Sequence, residues 1–194
     1  MSMEIDVTHL LQQKAQTAAI AKGVSLTSWL AHLVVNVLRH HPLLNARFDG
    51  DGLILYETVN LGLAVATAEG LVVPVLHGAE RLSLDELGSQ LDALAKTARA
   101  GKLSVAQISS GTFTISNLGM FGVSHFTPLV NPPQSAILGI GAAHPVITLT
   151  ETGLQQMQYI TFTVAADHRV VDGAAVAQFL GDLRQSIARL SLIP

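Results

Sequence analysis

The spacing of apolar residues divides the chain into segments of two kinds. Alternation of apolar and acidic residues at 1–7 is typical of a strand, whereas apolar residues three and four apart at 28–40 are typical of a helix. Helix ends are marked by polar capping residues, by glycine or by proline: Thr8, Ser83 and either Ser25 or Thr27 begin helices, and Gly23 and Pro42 end them. The predicted helices cover residues 9–22, 28–40, 84–100 and 174–190.

Nine predicted strands surround a stretch that is rich in glycine and proline. They cover residues 1–7, 45–48, 53–56, 59–67, 71–76, 112–116, 135–143, 146–150 and 155–166, with an irregular loop at 117–133 and a turn at 151–153. Helices come mostly early in the chain and strands mostly late. That order favours an α+β sandwich with a largely antiparallel sheet over a regularly alternating fold. The length of 194 residues fits one domain.

Charge is scarce and unevenly distributed. Charged residues make up 13% of the chain, about half of the usual share of roughly 25%. Between Leu103 and Ala166 the only formal charge is Glu151. A surface without charges is typical of contact between subunits, so this tract predicts oligomerisation. An ordinary buried sheet is the alternative explanation.

Composition argues against several classes of protein. A net charge of −3 without a basic patch argues against nucleic-acid binding. No run of about 20 apolar residues is present to span a membrane. The chain has no cysteine, which excludes disulfides, thiolate metal sites and cysteine nucleophiles. Its histidines show no metal-binding pattern.

His168 lies between an apolar strand-like run and an apolar helix-like run. An imidazole titrates near neutral pH and can therefore act as a general base. Asp172 lies at or near the start of the last predicted helix, where free amide groups favour a carboxylate. It can orient His168 or pair with a cation such as Arg169. A lone H-x-x-x-D pattern also occurs by chance, so a purely structural histidine is the alternative.

Ser116 ends a predicted strand and opens the irregular loop. A serine in this position can act as a nucleophile or donate a hydrogen bond to an oxyanion. The G-x-S-x-G pattern of many serine hydrolases is missing around it. The alternative is a serine that only bonds to its own loop.

Three extended motifs together carry a resemblance to a known family. They are DHRVVDG at 167–173, GTFTISNLGMFG at 111–122 and NPPQSAILG at 131–139, with further similarity at 44–46, 59–60 and 70–75. They resemble the catalytic domain of the dihydrolipoamide acyltransferase components of 2-oxoacid dehydrogenase complexes. Chloramphenicol acetyltransferases share the shorter H-x-x-x-D-G signature. The resemblance implies their two-layer fold, with helices on one face of a mixed, largely antiparallel sheet.

The resemblance also implies a reaction and a site. Family members move an acyl group between the thiols of dihydrolipoamide and coenzyme A. The sequence at 116–122 is most similar to that of the acetyl-transferring members. The resemblance implies that His168 removes the proton of the attacking thiol, that Ser116 donates a hydrogen bond to the tetrahedral intermediate, and that Asp172 holds the geometry around His168. In the family, the histidine and the serine come from neighbouring subunits of a trimer.

Partners and boundaries follow from the same resemblance. It implies a homotrimer that can assemble into a cubic or icosahedral core, with coenzyme A as substrate and a lipoyl group on a separate domain. The dehydrogenase and dihydrolipoamide dehydrogenase components are the implied partners. Residues 1–194 are expected to form the catalytic domain, with the family's N-terminal arm, lipoyl domain and partner-binding domain outside it. The implied location is the cytoplasm of a bacterium or archaeon, or the mitochondrial matrix of a eukaryote.

Two other functions are compatible with this fold. One is a non-catalytic structural core, against which the presence of His168, Asp172 and Ser116 argues. The other is a free-standing acetyltransferase of the chloramphenicol type. The motifs at 111–122 and 131–139 argue against that second function.

Overall fold

The structure is a computed structural model that describes residues 1–17, 24–151 and 153–190. Its four α-helices are α1 (Thr8–Thr17), α2 (Leu26–Leu38), α3 (Leu84–Arg99) and α4 (Gly173–Arg189). Its strands are β1 (Ser2–Asp6), β2 (Ala46–Phe48), β3 (Leu53–Leu55), β4 (Leu61–Leu63), β5 (Val65–Thr67), β6 (Gly70–Val72), β7 (Val75–Leu76), β8 (Phe113–Asn117), β9 (Ala136–Ile140), β10 (His144–Thr150) and β11 (Gly153–Ala166). The predicted continuation of the first helix over 18–22, its stop at Gly23 and the turn residue Thr152 lie outside the described residues.

One seven-stranded sheet organises the domain. Its strand order is β1-β11-β9-β8-β4-β7, and β10 also pairs with β11. The two central pairs, β4 with β8 and β8 with β9, are parallel, while the other four pairs are antiparallel. The predicted α+β class with a largely antiparallel sheet is therefore confirmed. The parallel centre was not predicted.

The two faces of the sheet differ in chemistry because side chains alternate along each strand. Large apolar side chains cover the face that packs on the helices, where Phe113 lies 6.2 Å from the Phe179 ring of α4. The opposite face carries small and hydroxyl residues and is covered by the glycine- and proline-rich loop. On that face Thr114 donates to the Oε1 atom of Gln134 at 2.6 Å. Gly139 packs closely against Phe126: a Cβ added at Gly139 would lie 3.0 Å from the Phe126 ring.

The predicted strand pair at 59–67 and 71–76 forms one hairpin that bends out of the main sheet. The same register joins Leu61 to Leu76 and Val65 to Val72, yet β5 and β6 form a separate two-stranded sheet. Between the two halves, Leu63 donates to the carbonyl of Pro74 at 2.9 Å. Proline has no N–H to return the second bond of that pair, so the ladder is interrupted there.

Capping side chains fix the starts of α2 and α3 where the sequence places them. The prediction that Thr8 caps the first helix is wrong: Thr8 is the first residue of α1, and the Asp6 Oδ1 atom accepts from its N–H at 2.8 Å. Ser25, one of the two predicted caps, accepts a hydrogen bond from the Ser28 N–H at 3.1 Å. Ser83 and Glu86 form the predicted capping box of α3. None of the described helices is both long and apolar enough to cross a membrane.

Candidate active site

His168 projects from a tight turn between β11 and α4. The backbone N–H groups of Val170 and Val171 both donate to the carbonyl of Asp167 at 2.9 Å. Their side chains are buried, which anchors the far side of the turn. The His168 side chain itself is exposed, and within the described part of the chain its ring has no hydrogen-bond partner. The turn is fixed by buried neighbours while the imidazole is free to meet a substrate.

The residues on either side of His168 form an ion pair. The Arg169 guanidinium donates to both carboxylate oxygens of Asp167, from Nε at 3.0 and 3.1 Å and from Nη2 at 2.6 Å. The hydrogen bond from Arg169 lowers the pKa of Asp167, which keeps this carboxylate ionised at neutral pH. The sequence interpretation had offered Asp172 as the partner of Arg169, which is wrong.

Asp172 caps helix α4. Its Oδ1 atom accepts from the Ala175 N–H at 2.8 Å, and its backbone has the extended conformation of an N-cap residue. No hydrogen bond joins Asp172 to His168 in the described structure. The observed contact of Asp172 is with the start of α4 and not with His168. The predicted role of Asp172 in orienting His168 stays a prediction.

Ser116 lies near the end of β8, where the next residue fixes the chain. The Asn117 side chain donates to the Thr27 hydroxyl at 2.9 Å and accepts from the Gly119 N–H at 2.8 Å. Ser116 is half-buried, and among the described residues its hydroxyl has no hydrogen-bond partner. It lines a cavity of about 280 Å³ whose wall is mainly apolar. This environment leaves the hydroxyl available to a ligand in that cavity.

Strand register places Ser116 and the His168 turn at opposite ends of the sheet along the strand direction, because β8 and β11 run antiparallel with β9 between them. Ser116 is level with Gly139 on β9, which is level with Thr163 on β11. From Thr163 the chain continues three residues to Ala166 before the His168 turn begins. A rise of about 3.3 Å per residue and a strand spacing of about 4.8 Å place Ser116 and Ala166 about 14 Å apart. The end of β11 that leads into the His168 turn therefore lies well away from Ser116 within a single chain.

Strand β9 joins both locations. At its start, the Ser135 carbonyl accepts from the Asp167 N–H at 2.7 Å and so supports the His168 turn. Just past its end, Gly141 packs against the loop that follows Ser116, where an added Cβ would overlap the carbonyl oxygen of Ser124. The motif at 131–139 therefore holds the other two motifs in a fixed relation.

Sequence reasoning missed Asp167 and Arg169 as a pair. The signal was an acid and a base directly flanking the histidine, but short separation in sequence does not show that two side chains fold toward each other.

In the part of the chain that the structure describes, no three His, Asp or Glu side chains are grouped closely enough to hold a metal ion.

Curated relatives of this chain are acyltransferase components. It is 37% identical over 185 residues to the dihydrolipoyllysine-residue acetyltransferase component of the acetoin cleaving system of Bacillus subtilis, covering 93% of this chain and 46% of that protein. It is 35% identical over 191 residues to a mitochondrial dihydrolipoyllysine-residue succinyltransferase component of a 2-oxoglutarate dehydrogenase complex of Arabidopsis thaliana, covering 95% and 41%. The chain spans less than half the length of these relatives.

Solved structures share the fold. A dihydrolipoamide acetyltransferase of Azotobacter vinelandii matches with a TM-score of 0.93 and 31% identity, covering 100% of this chain and 83% of that one. That structure was solved to study a serine, a histidine and an asparagine in its catalytic mechanism. A chloramphenicol acetyltransferase matches with a TM-score of 0.60 and 16% identity, which shows the fold alone.

The family comparison covers nearly the whole chain. Residues 1–193 match the family described as 2-oxoacid dehydrogenases acyltransferase (catalytic domain). The three motifs lie in order within that match, on β8 and its following loop, on β9 and its preceding loop, and on the turn before α4. The chain therefore belongs to the 2-oxoacid dehydrogenase acyltransferase family, as a member of its catalytic-domain class.

Proposed function

We propose that this chain transfers an acyl group, acetyl in the first instance, between the thiols of dihydrolipoamide and coenzyme A, as the core of a 2-oxoacid dehydrogenase complex. The observation that carries the proposal is the pair of half-sites. The turn after β11 presents an exposed imidazole, and the end of β8 presents an unpaired hydroxyl beside an apolar cavity.

The chemistry needs no nucleophile from the protein. His168 takes the proton from the incoming thiol, whose sulfur attacks the thioester carbonyl carbon. Ser116 donates its hydroxyl to the oxyanion of the tetrahedral intermediate. The bond to the departing sulfur then breaks, and that thiolate takes the proton back from His168. Because both sulfurs belong to substrates, the lack of cysteine is no obstacle.

The two half-sites require a second copy of the chain. His168 of one subunit meets Ser116 of the next in this proposal, which is supported by the separation of about 14 Å between Ser116 and Ala166, the last β11 residue before the His168 turn. A closed ring of such contacts is a homotrimer in the proposed assembly. Large exposed apolar side chains on the Ser116 loop and on the β10–β11 hairpin support it; they include Met120, Phe121, Leu129, Ile147, Leu149 and Leu154.

The Azotobacter structure adds support for these roles. Its serine and histidine are separated by the same number of residues as Ser116 and His168, and its asparagine follows the histidine at the spacing of Asp172. The Bacillus relative supports acetyl as the acyl group, while the Arabidopsis relative makes succinyl the competing choice.

The test is a thiol-transfer assay with acetyl-CoA or succinyl-CoA and dihydrolipoamide, combined with light scattering to measure the subunit count. Ser116→Ala should reduce the rate by about 10²–10³, the loss expected for one oxyanion donor. His168→Ala should reduce it by about 10²–10⁴. An acyl group found on Ser116 by mass spectrometry would contradict the direct mechanism. No turnover by a correctly folded trimer would instead indicate a structural core.

A further inference from the structure

The turn at 167–171, which carries His168, is clamped by its own neighbours. We propose that Arg169, acting through Asp167, is a positioning residue for His168: the pair holds the turn at the angle from which the imidazole reaches a thiol in the half-site of the neighbouring subunit. This inference rests on the proposed acyltransferase function.

The backbone N–H, the carbonyl and both carboxylate oxygens of Asp167 all form hydrogen bonds that hold the turn. Its N–H donates to the Ser135 carbonyl at 2.7 Å, and its carbonyl accepts from Val170 and Val171 at 2.9 Å. Its Oδ1 atom also accepts from the Arg169 backbone N–H at 3.0 Å. Both carboxylate oxygens are then held by the guanidinium fork. A bidentate pair fixes an orientation as well as a distance.

Arg169 connects this pair to the rest of the fold. Its guanidinium carbon lies 4.7 Å from the centroid of the Phe48 ring, the geometry of a cation–π contact. Phe48 is on β2, and the Ala46 carbonyl of the same strand accepts from the Ser135 N–H at 2.9 Å. Ser135 in turn bonds to Asp167. These contacts form a closed ring that includes Asp167 and Arg169, the two residues that flank His168.

The pair is poorly placed to stabilise the fold. The Arg169 side chain is 66% exposed, and the Asp167 side chain 23%. Exposed ion pairs contribute little to the free energy of unfolding because water screens them. The reaction rate is more sensitive than the free energy of unfolding, since a misplacement of about 1 Å in a catalytic group can lower the rate about 10²-fold. The arrangement therefore suits a positional role better than a stabilising one.

Substitutions separate the two roles. Arg169→Met removes both the fork and the guanidinium contact with Phe48, and Arg169→Lys keeps the positive charge without the fork. Both should lower kcat by about 10–100-fold with KM changed less than about twofold, because the perturbed group acts in the chemical step. The matched control is Arg81→Met, which breaks another exposed pair, with Glu80 at 3.2 Å, at a distant place in the fold. It should leave kcat unchanged.

A second measurement does not depend on turnover. In ¹⁵N relaxation, the His168 amide should be rigid in the wild-type protein and mobile on the nanosecond scale in Arg169→Met and Asp167→Asn, but not in Arg81→Met. The proposal is overturned if the Arg169 variants match Arg81→Met in both kcat and amide mobility. A wild-type protein that fails to transfer acyl groups, yet shows the mobility change, would refute the proposed function and leave the clamp in place.

Discussion

Mixed oligomers test the most specific part of the proposed function, that a working site takes His168 from one chain and Ser116 from another. Two variants are needed, His168→Ala and Ser116→Ala, each almost inactive alone. Within one chain, strand register places Ser116 about 14 Å from Ala166, the last β11 residue before the His168 turn, which is why the proposed site draws its two groups from different chains. Two different defective chains in one ring can complete a site between them.

The size of the recovery follows from counting. In a trimer each His168 faces the Ser116 of the next subunit. If the two variants assemble at random in equal amounts, about one quarter of the sites pair an intact histidine with an intact serine. The mixture should therefore regain about one quarter of wild-type kcat, against at most about 10⁻² for either variant alone. Co-expression with two affinity tags and sequential purification selects the mixed rings. Each mixed ring has one complete site out of three, so the purified rings should regain about one third of wild-type kcat, measured by thiol release.

A site contained within one chain would give a different result. Mixing would then yield only the average of the two defective rates, and recovery below about one hundredth would refute the shared site. Separately purified homo-oligomers, combined without subunit exchange, are the control and should stay inactive. Co-expression of His168→Ala with itself under both tags excludes an effect of tagging.

Three further outcomes are expected. Gly141→Ala should lower the free energy of unfolding by about 2–4 kcal/mol in a urea titration, since the added Cβ would overlap a backbone carbonyl and disturb the adjacent loop. The control is Gly181→Ala on an open helix surface, which should raise the free energy of unfolding by about 0.5–1 kcal/mol. Asp172→Asn should keep stability and most activity because an amide oxygen still caps α4, while Asp172→Ala should lose about 1 kcal/mol in the same titration. Arg169 lowers the pKa of Asp167, so the ion pair is present at every pH above the ordinary range of carboxyl pKa values. The pair is lost only as the pH falls through the lower pKa of the folded state. The chemical shift of the His168 amide should therefore change below pH 4 (about the ordinary carboxyl pKa) in an NMR titration.

Local patterns predicted most of the elements and their order. Capping residues, periodicity and turn residues are local signals, so Ser25, the capping box at Ser83 and the hairpin at 46–55 were found from sequence. Pairing between distant strands is not a local signal. The parallel centre of the sheet joins β4 to β8 across more than fifty residues, and the bend of the second hairpin depends on Pro74 facing Leu63.

The site was predicted by residue type more reliably than by contact. His168 and Ser116 were named from their positions at the ends of apolar runs, and the structure places both with unpaired side chains in its described part. Which carboxylate pairs with Arg169 depends on side-chain direction at a turn, which the sequence does not give. Asp172 was offered as a possible partner, but the structure pairs Arg169 with Asp167 and has Asp172 accept from the Ala175 N–H.

The fold explains why the two half-sites belong on one rigid body. Ser135 at the start of β9 holds the His168 turn, and Gly141 just past its end packs against the loop that follows Ser116. All five residues of β9 are buried, so the distance between the half-sites is set by strand length and cannot adjust to a substrate. In the proposed trimer a neighbouring subunit must then dock at a fixed angle. The charge-poor tract from Leu103 to Ala166 contains β8 and β9 and also many of the large exposed apolar side chains, so one stretch of sequence holds both the buried strands that set this distance and the exposed residues of the proposed contact surface.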